Sequence, residues 1–236
     1  MIEIVKATRD ELQTIHDMAQ VVFRHTYRDI LSPEQMEYMM DMMYSLPNLQ
    51  TQLDEGHHYY IAYMSPDQES STHQEYTAPH EDGAPCRCND VASSDDSASA
   101  VCNARDSILP VPRGYVSVQH EGPDQDGTEI FHLHKIYVMP EAQGRGVGMR
   151  LFQTVVQHVK SVLQARSAGD GASAIINPEL AVAQSATAKA RIELNVNKFN
   201  SAVNFYKHLG MRILLEEDFP IGNGFYKTDY IMGLDV

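Results

Sequence analysis

Residues 133–148 read Leu133-His134-Lys135-Ile136-Tyr137-Val138-Met139-Pro140-Glu141-Ala142-Gln143-Gly144-Arg145-Gly146-Val147-Gly148. The first half is a strand that stops at Pro140, whose nitrogen has no hydrogen to give to a sheet ladder. The second half is a short loop with glycines at 144, 146 and 148. Glycine allows a tight turn and lets a ligand come close to the amides. Beyond the loop, Leu151, Phe152, Val155, Val156, Val159, Val162 and Leu163 recur at helical steps, which predicts a helix over about 146–165. The first N–H groups of a helix lack intrahelical partners and form an anion site. The expected ligand is a phosphate, most simply a diphosphate. Gly144-x-Gly146-x-x-Met149 lacks the third glycine of the dinucleotide pattern, and no Gly-Lys-Ser/Thr follows as in a triphosphate loop.

Outward from this stretch the chain alternates between strand and helix patterns. Ile2–Ala7 alternates as a strand, and Thr8 is placed to cap a helix over about 9–24. Ser32-Pro33 opens a second helix whose stripe of Met36, Met39, Met40 and Met43 reads as core filling. Strands are expected at 58–64, 114–120, 129–138 and 191–196, with a hairpin turn at Gly122–Gly127. Asn200 is placed to cap a helix that ends at Gly210, and a last strand pair covers 211–216 and 224–234. The order β-α-α-β-β-β-α-β-α-β-β predicts a mixed α/β sheet with helices on both faces.

Two stretches break the pattern. Residues 65–112 carry nine acids against two bases, a net −7 out of the chain's −14. They contain almost no aliphatic residues before Ile108, so they cannot bury enough apolar surface to offset their ordering entropy. Residues 165–190 are rich in Ala, Ser and Gly. Both are read as insertions within one domain spanning 1–236.

The chain has 236 residues, with 32 acids and 18 Lys plus Arg. Such acidity argues against nucleic-acid binding, which needs basic side chains to displace counterions. It would steer cationic partners toward the surface. No secretory signal opens the sequence and no apolar run approaches a membrane span of about 18 residues. The cysteines, Cys86, Cys88 and Cys102, are odd in number and confined to the polar stretch, so neither a disulfide framework nor a metal site is expected. These features fit a cytoplasmic location.

Gln143-Gly144-Arg145-Gly146-Val147-Gly148, between its strand and helix, resembles motif A of the GNAT acetyltransferases, Gln/Arg-x-x-Gly-x-Gly/Ala. Downstream, Asn200-Ser201-Ala202-Val203-Asn204-Phe205-Tyr206-Lys207-His208-Leu209-Gly210-Met211 resembles that family's Asn-x-x-Ala-x-x-Phe-Tyr-x-x-x-Gly-Phe segment, with Met211 replacing Phe. The resemblance covers about 1–64 and 113–236. It implies a mostly antiparallel sheet with one splayed parallel pair. It also implies acetyl-CoA as co-substrate and transfer by direct amine attack in a ternary complex. By position, the diphosphate would meet Gln143, Gly144, Arg145, Gly146, Val147, Gly148 and Met149. The pantetheine arm would run beside Ile136, Tyr137 and Val138, where a bulge is expected, with Asn200 alongside.

Tyr206 matches the family tyrosine that protonates the leaving thiolate. His132 and His134 stand where relatives carry a carboxylate base. Alternation places both on one face, and Glu129, Glu193 and Asp229 are further candidates for the base. The acceptor amine is expected near His25, Tyr27 and Tyr226. The segment from Asn223 to Met232 resembles a bacterial branch that includes polyamine acetyltransferases, so a small amine such as a polyamine is the expected acceptor. Acetylation of a protein N-terminus or lysine, and a non-catalytic acyl-CoA sensor, are the competing readings. The sequence leaves open whether the chain forms a homodimer.

Overall fold

Seven strands form one sheet in the order β1-β2-β3-β4-β5-β7-β6. The computed structural model describes residues 1–65, 110–170 and 189–236, with backbone alone for 167–170. In chain order the elements are β1 (Ile2–Lys6), α1 (Leu12–Tyr27), α2 (Pro33–Tyr44), α3 (Leu46–Asp54), β2 (His58–Met64), β3 (Val111–Pro123), β4 (Glu129–Val138), α4 (Val147–Asp170), β5 (Ala190–Asn197), α5 (Ala202–His208), β6 (Arg212–Gly222) and β7 (Phe225–Asp235). Among the described residues, only β4 and β5 pair in parallel.

The local signals act largely as expected. Thr8 and Glu11 close a reciprocal capping box, but around a 3-10 turn that precedes α1. Ser32 Oγ accepts from Gln35 N at 3.2 Å, with Pro33 in the first turn of α2. Gly210, at φ 88°, ends α5 in the left-handed conformation that only glycine adopts at little cost. Asn200 stands just before the cap position, with its Oδ1 accepting from Ala202 N at 2.9 Å. The helix α3 was not foreseen. Leu49 is its one buried residue, so it shows no apolar stripe; its sequence signal is Ser45-Leu46-Pro47, a start much like Ser32-Pro33.

Each face of the sheet carries its own core. On one side α4 lays Leu151, Val155 and Val159 over Val116, Phe131, Leu133 and Ile192. On the other, α1–α3 bury Ile15, Phe23, Tyr44 and Leu49 against Tyr59, Ile61 and Tyr115. Each such side chain contributes about 1.5–3 kcal/mol when fully buried.

The bounds of the two biased stretches need correction. Val111 pairs with Met64, so the chain re-enters the sheet beside the point where it left, and Val111 and Pro112 belong to β3. Likewise α4 continues to Asp170, and buried Ala190 opens β5. The remainder of both stretches, with Cys86, Cys88 and Cys102, lies outside the described residues.

The bulge in β4 is also displaced from its expected place. Ser117 stands opposite Lys135 and Val118 opposite Leu133, so His134 is the extra residue. The extra residue shifts the alternation by one. Leu133, Ile136 and Val138 face the α4 core, while Tyr137 faces α1–α3. His134 and Lys135 both reach that second side, where His134 stacks near His57 and Lys135 lies over Tyr44 and Tyr59.

Candidate active site

Pairing between β4 and β5 runs from Glu129–Ala190 to His132–Glu193 and then stops. Past the bulge the two strands diverge, and a cavity of about 450 Å³ opens between them. Its walls are Ile136, Tyr137 and Val138 of β4, Leu194–Val196 of β5, the 142–149 loop and helix start, and Asn200, Phe205 and Tyr206. Gly114 lets β3 approach behind β4, since a Cβ there would fall 2.7 Å from Tyr137 O.

At the mouth, Gly144 and Gly146 have φ of 74° and 82° with open space around them, so glycine is needed for conformation rather than for room. Among the described residues, the N–H groups of Gly144, Gly146, Val147 and Gly148 have no hydrogen-bond partner; the first bond of the helix is Arg150 N to Gly146 O, 3.1 Å. The Gln143 amide turns inward to Pro140 O at 3.3 Å, and its side chain donates to Val138 O at 3.1 Å. Gln143 thus braces the loop. Arg145 does not line the cavity. Free amides converging at a helix N-terminus beside an open slot fit a diphosphate carrying an extended arm.

Residues 96–212 match the family model described as Acetyltransferase (GNAT) domain. The match spans 117 of the chain's 236 residues. No curated protein sequence matches it. Solved structures with this fold include the PaiA N-acetyltransferase of Thermoplasma acidophilum in complex with coenzyme A (16% identity, covering 100% of this chain and 99% of that one, TM-score 0.55). A GCN5-related N-acetyltransferase of Rhodopseudomonas palustris matches at 15% identity over 99% and 95% of the two chains, TM-score 0.55. The ribosomal-protein-S18-alanine N-acetyltransferase of Escherichia coli matches at 13% over 100% and 94%, TM-score 0.51. At these identities the likeness is one of fold.

Within the matched region, Tyr206 is 7% exposed and lines the slot. Burial pushes its pKa well above that of a free tyrosine, so its hydroxyl keeps its proton. Asn200 Nδ2 lies 3.5 Å from the Tyr27 hydroxyl in the same cavity.

A second cavity of about 440 Å³ adjoins the first on the α1–α3 side. Tyr27, His134, Lys135, Tyr137 and Asn195 line both. Of the three expected acceptor residues, only Tyr27 is there. His25 is exposed, because one helical turn carries Val22, Phe23, Thr26 and Tyr27 inward and leaves it outside. Tyr226 is 60% exposed, because alternation in β7 turns Lys227 and Asp229 into the cavity instead. Met36, Met39 and Met40 pack in the core as the sequence suggested, with Met43 against it, and Met39 and Met43 also line the cavity wall.

His132 and His134 do share one face, with ring centroids 4.5 Å apart, and His57 stands 4.2 Å from His134. Burial, then neighbouring cationic and imidazole groups, lowers their pKa values to about 4 for His57 and His132 and about 2 for His134. All three are neutral at physiological pH. Gln119 Nε2 donates to Glu55 O at 2.8 Å, so its Oε1 faces His134 Nε2 at 3.1 Å and takes that proton, leaving Nδ1 as the acceptor nitrogen. Two proposed bases lie elsewhere: Glu129 is paired with His120 and Arg166, and Glu193 with Arg191, and neither lines a cavity. Asp229 does line the second cavity, 3.3 Å from Lys227 Nζ.

Lys135, His57 and Lys227 were not singled out from sequence. Lys135 could have been found from the broken alternation of β4, but His57 and Lys227 carried no local signal. Among the described residues, no cluster of three or more His, Cys, Asp or Glu could hold a metal, and no helix is long and apolar enough to cross a membrane.

Proposed function

We propose that this GNAT domain transfers an acetyl group from acetyl-CoA to the primary amine of a small acceptor, by direct attack in a ternary complex. One observation carries the reading: two cavities of similar size meet at a common wall of Tyr27, His134, Lys135, Tyr137 and Asn195. A cofactor in the slot and an amine in the second cavity would face each other there without a covalent enzyme intermediate. The free amides of Gly144, Gly146, Val147 and Gly148 would hold the diphosphate, and the unpaired edge of β4 beyond His132 would take the arm. The bound thioester supplies an activated acyl group. Tyr206, protonated and in the slot, is placed to give its proton to the departing sulfur, and the proton that the attacking nitrogen loses on forming the amide restores the phenol.

His134 is the histidine of the common wall, and its free Nδ1 can accept a hydrogen bond from the amine. A pKa near 2 makes it too weak to strip an ammonium. The acceptor therefore sheds that proton before it is seated, and the rate should climb with pH through the acceptor's own amine pKa. An inflection that stays fixed when amines of different pKa are compared would contradict this role.

The lining of the second cavity weighs against a polycation. Its ionisable groups are Lys135 and Lys227 with a single carboxylate, Asp229, beside three neutral histidines. Tyr206 faces the slot, which favours an enzyme over a silent acyl-CoA sensor. The direct test is a panel of polyamines, amino acids, peptides and aminoglycosides incubated with acetyl-CoA, reading free thiol. Release above the hydrolytic background supports transfer, and none across the panel refutes it.

A further inference from the structure

Lys135 is 4% exposed, and its position is fixed by neutral partners. Its Nζ donates to Gln52 Oε1 at 2.7 Å, the same oxygen that accepts from Tyr59 OH at 2.5 Å. Gln52 is itself oriented by Nε2 donating to Met43 O at 3.2 Å. The rings of Tyr44 and Tyr59 lie 5.7 and 5.6 Å from the ammonium. Among the described residues, no carboxylate reaches Lys135 within ion-pair distance, whereas Asp229 pairs with Lys227 and Glu121 stands 3.8 and 4.0 Å from His132 and His134. A buried ammonium without a counter-ion is costly, and it faces an open cavity. Lys227 lines the same cavity. The apolar part of the lining, Phe23, Leu31, Met39, Met42 and Met43, is adaptable through its methionines.

We propose that the acceptor is an α-amino acid with an apolar side chain, its carboxylate received by Lys135 and Lys227 and its side chain by the Phe23–Leu31–methionine wall. This rests on the transferase reading above and narrows its acceptor. Lys135 belongs to the wall that both cavities share, so an anion bound to it lies on the side where amine and thioester would meet. A carboxylate on the carbon that carries the amine suits that placement. Charge-assisted hydrogen bonds to a carboxylate would restore what burial takes from the ammonium. Desolvation, the main cause, with Lys227 second, lowers the Lys135 pKa to about 7, in keeping with a cation short of a partner.

The experiment compares leucine, leucinamide, isopentylamine, spermidine and phosphoethanolamine, all by free-thiol release with acetyl-CoA. Leucine should exceed leucinamide and isopentylamine in kcat/KM by about tenfold or more, as expected when a buried charged group is left unpaired by the analogue. Lys135→Met keeps volume without charge and should bring the leucine-to-leucinamide ratio near one; Lys227→Met, at a partly exposed site, should lower it less. Equal or better turnover of the amide or of spermidine overturns the proposal, as does a ratio that survives both substitutions. Preference for phosphoethanolamine over leucine overturns the carboxylate and the apolar wall. Calorimetry of leucine and leucinamide on the CoA-loaded protein separates the two readings. Selective leucine binding without thiol release refutes transfer alone, and absence of leucine binding refutes the acceptor assignment.

Discussion

The two cavities are nearly equal in volume and unlike in construction. The cofactor slot is lined mainly by one stretch, 133–149, with Leu194–Val196, Asn200–Tyr206 and a few α1 side chains closing it, and its mouth presents main-chain amides. The second cavity gathers side chains from α1, α2, α3, β4, β5 and β7, with Leu31 and His57 from the turns between elements. A diphosphate is recognised by N–H groups that any residue supplies once glycines set the turn. An acceptor is recognised by particular side chains, and these come from wherever the fold brings chain segments together.

The largest effect should come from Gly146→Glu. At φ 82° a non-glycine residue is strained by about 1–2 kcal/mol, and a carboxylate would face the diphosphate. Acetyl-CoA affinity should fall by about 100-fold or more in calorimetry while circular dichroism stays native. Undiminished affinity would remove the slot from the argument. Next, Tyr206→Phe should lower kcat by about 100-fold, within the usual range for losing a general acid, and leave acetyl-CoA affinity nearly unchanged. A matching loss of affinity would make Tyr206 a packing residue.

The acceptor side should also be acid-labile. His57, His132 and His134 have folded pKa values below the unfolded 6.5, so the unfolded chain binds protons that the folded chain refuses. Their stabilising contribution is present above about pH 6.5 and is lost as pH falls toward about 4, with His134 extending the loss toward about 2. Thermal midpoints recorded from pH 7 to 4 should decline, and His132→Gln should flatten part of that slope. A smaller effect is expected from replacing 66–109 by a short turn, because Met64 and Val111 are already paired. Folding and acetyl-CoA binding should persist, and a collapsed transition would show that the stretch is integral to the core. The smallest effect should follow His25→Ala and Tyr226→Ala. Both side chains are outside the two cavities, so acceptor KM should stay within about twofold.

Much of the slot was legible because its signals are local. Pro140, the glycines and the apolar period of α4 fix where a strand ends, a loop turns and a helix begins. Broken alternation around Ile136 announced a bulge, but not its register. Only pairing with Ser117 and Val118 shows that His134 is the extra residue. Of the acceptor residues chosen from sequence, Tyr27 lines both cavities, while His25 and Tyr226 lie outside them for reasons of phase. His25 sits two residues from Phe23 and Tyr27, and in a helix that separation points away from their common face. Tyr226 is next to Lys227, and in a strand neighbours take opposite faces.

The sequence by itself determined the element order apart from α3, the passage from strand through glycine loop to helix over 133–149, and the place of Tyr206 in α5, since hydrogen-bonding capacity and hydrophobic period are properties of consecutive residues. Tertiary structure alone decided that β4 and β5 part after His132, that Lys135 turns to the α1–α3 side, and that it meets Lys227 and His57 there. These outcomes depend on register and packing between segments far apart in the chain, which no local pattern encodes.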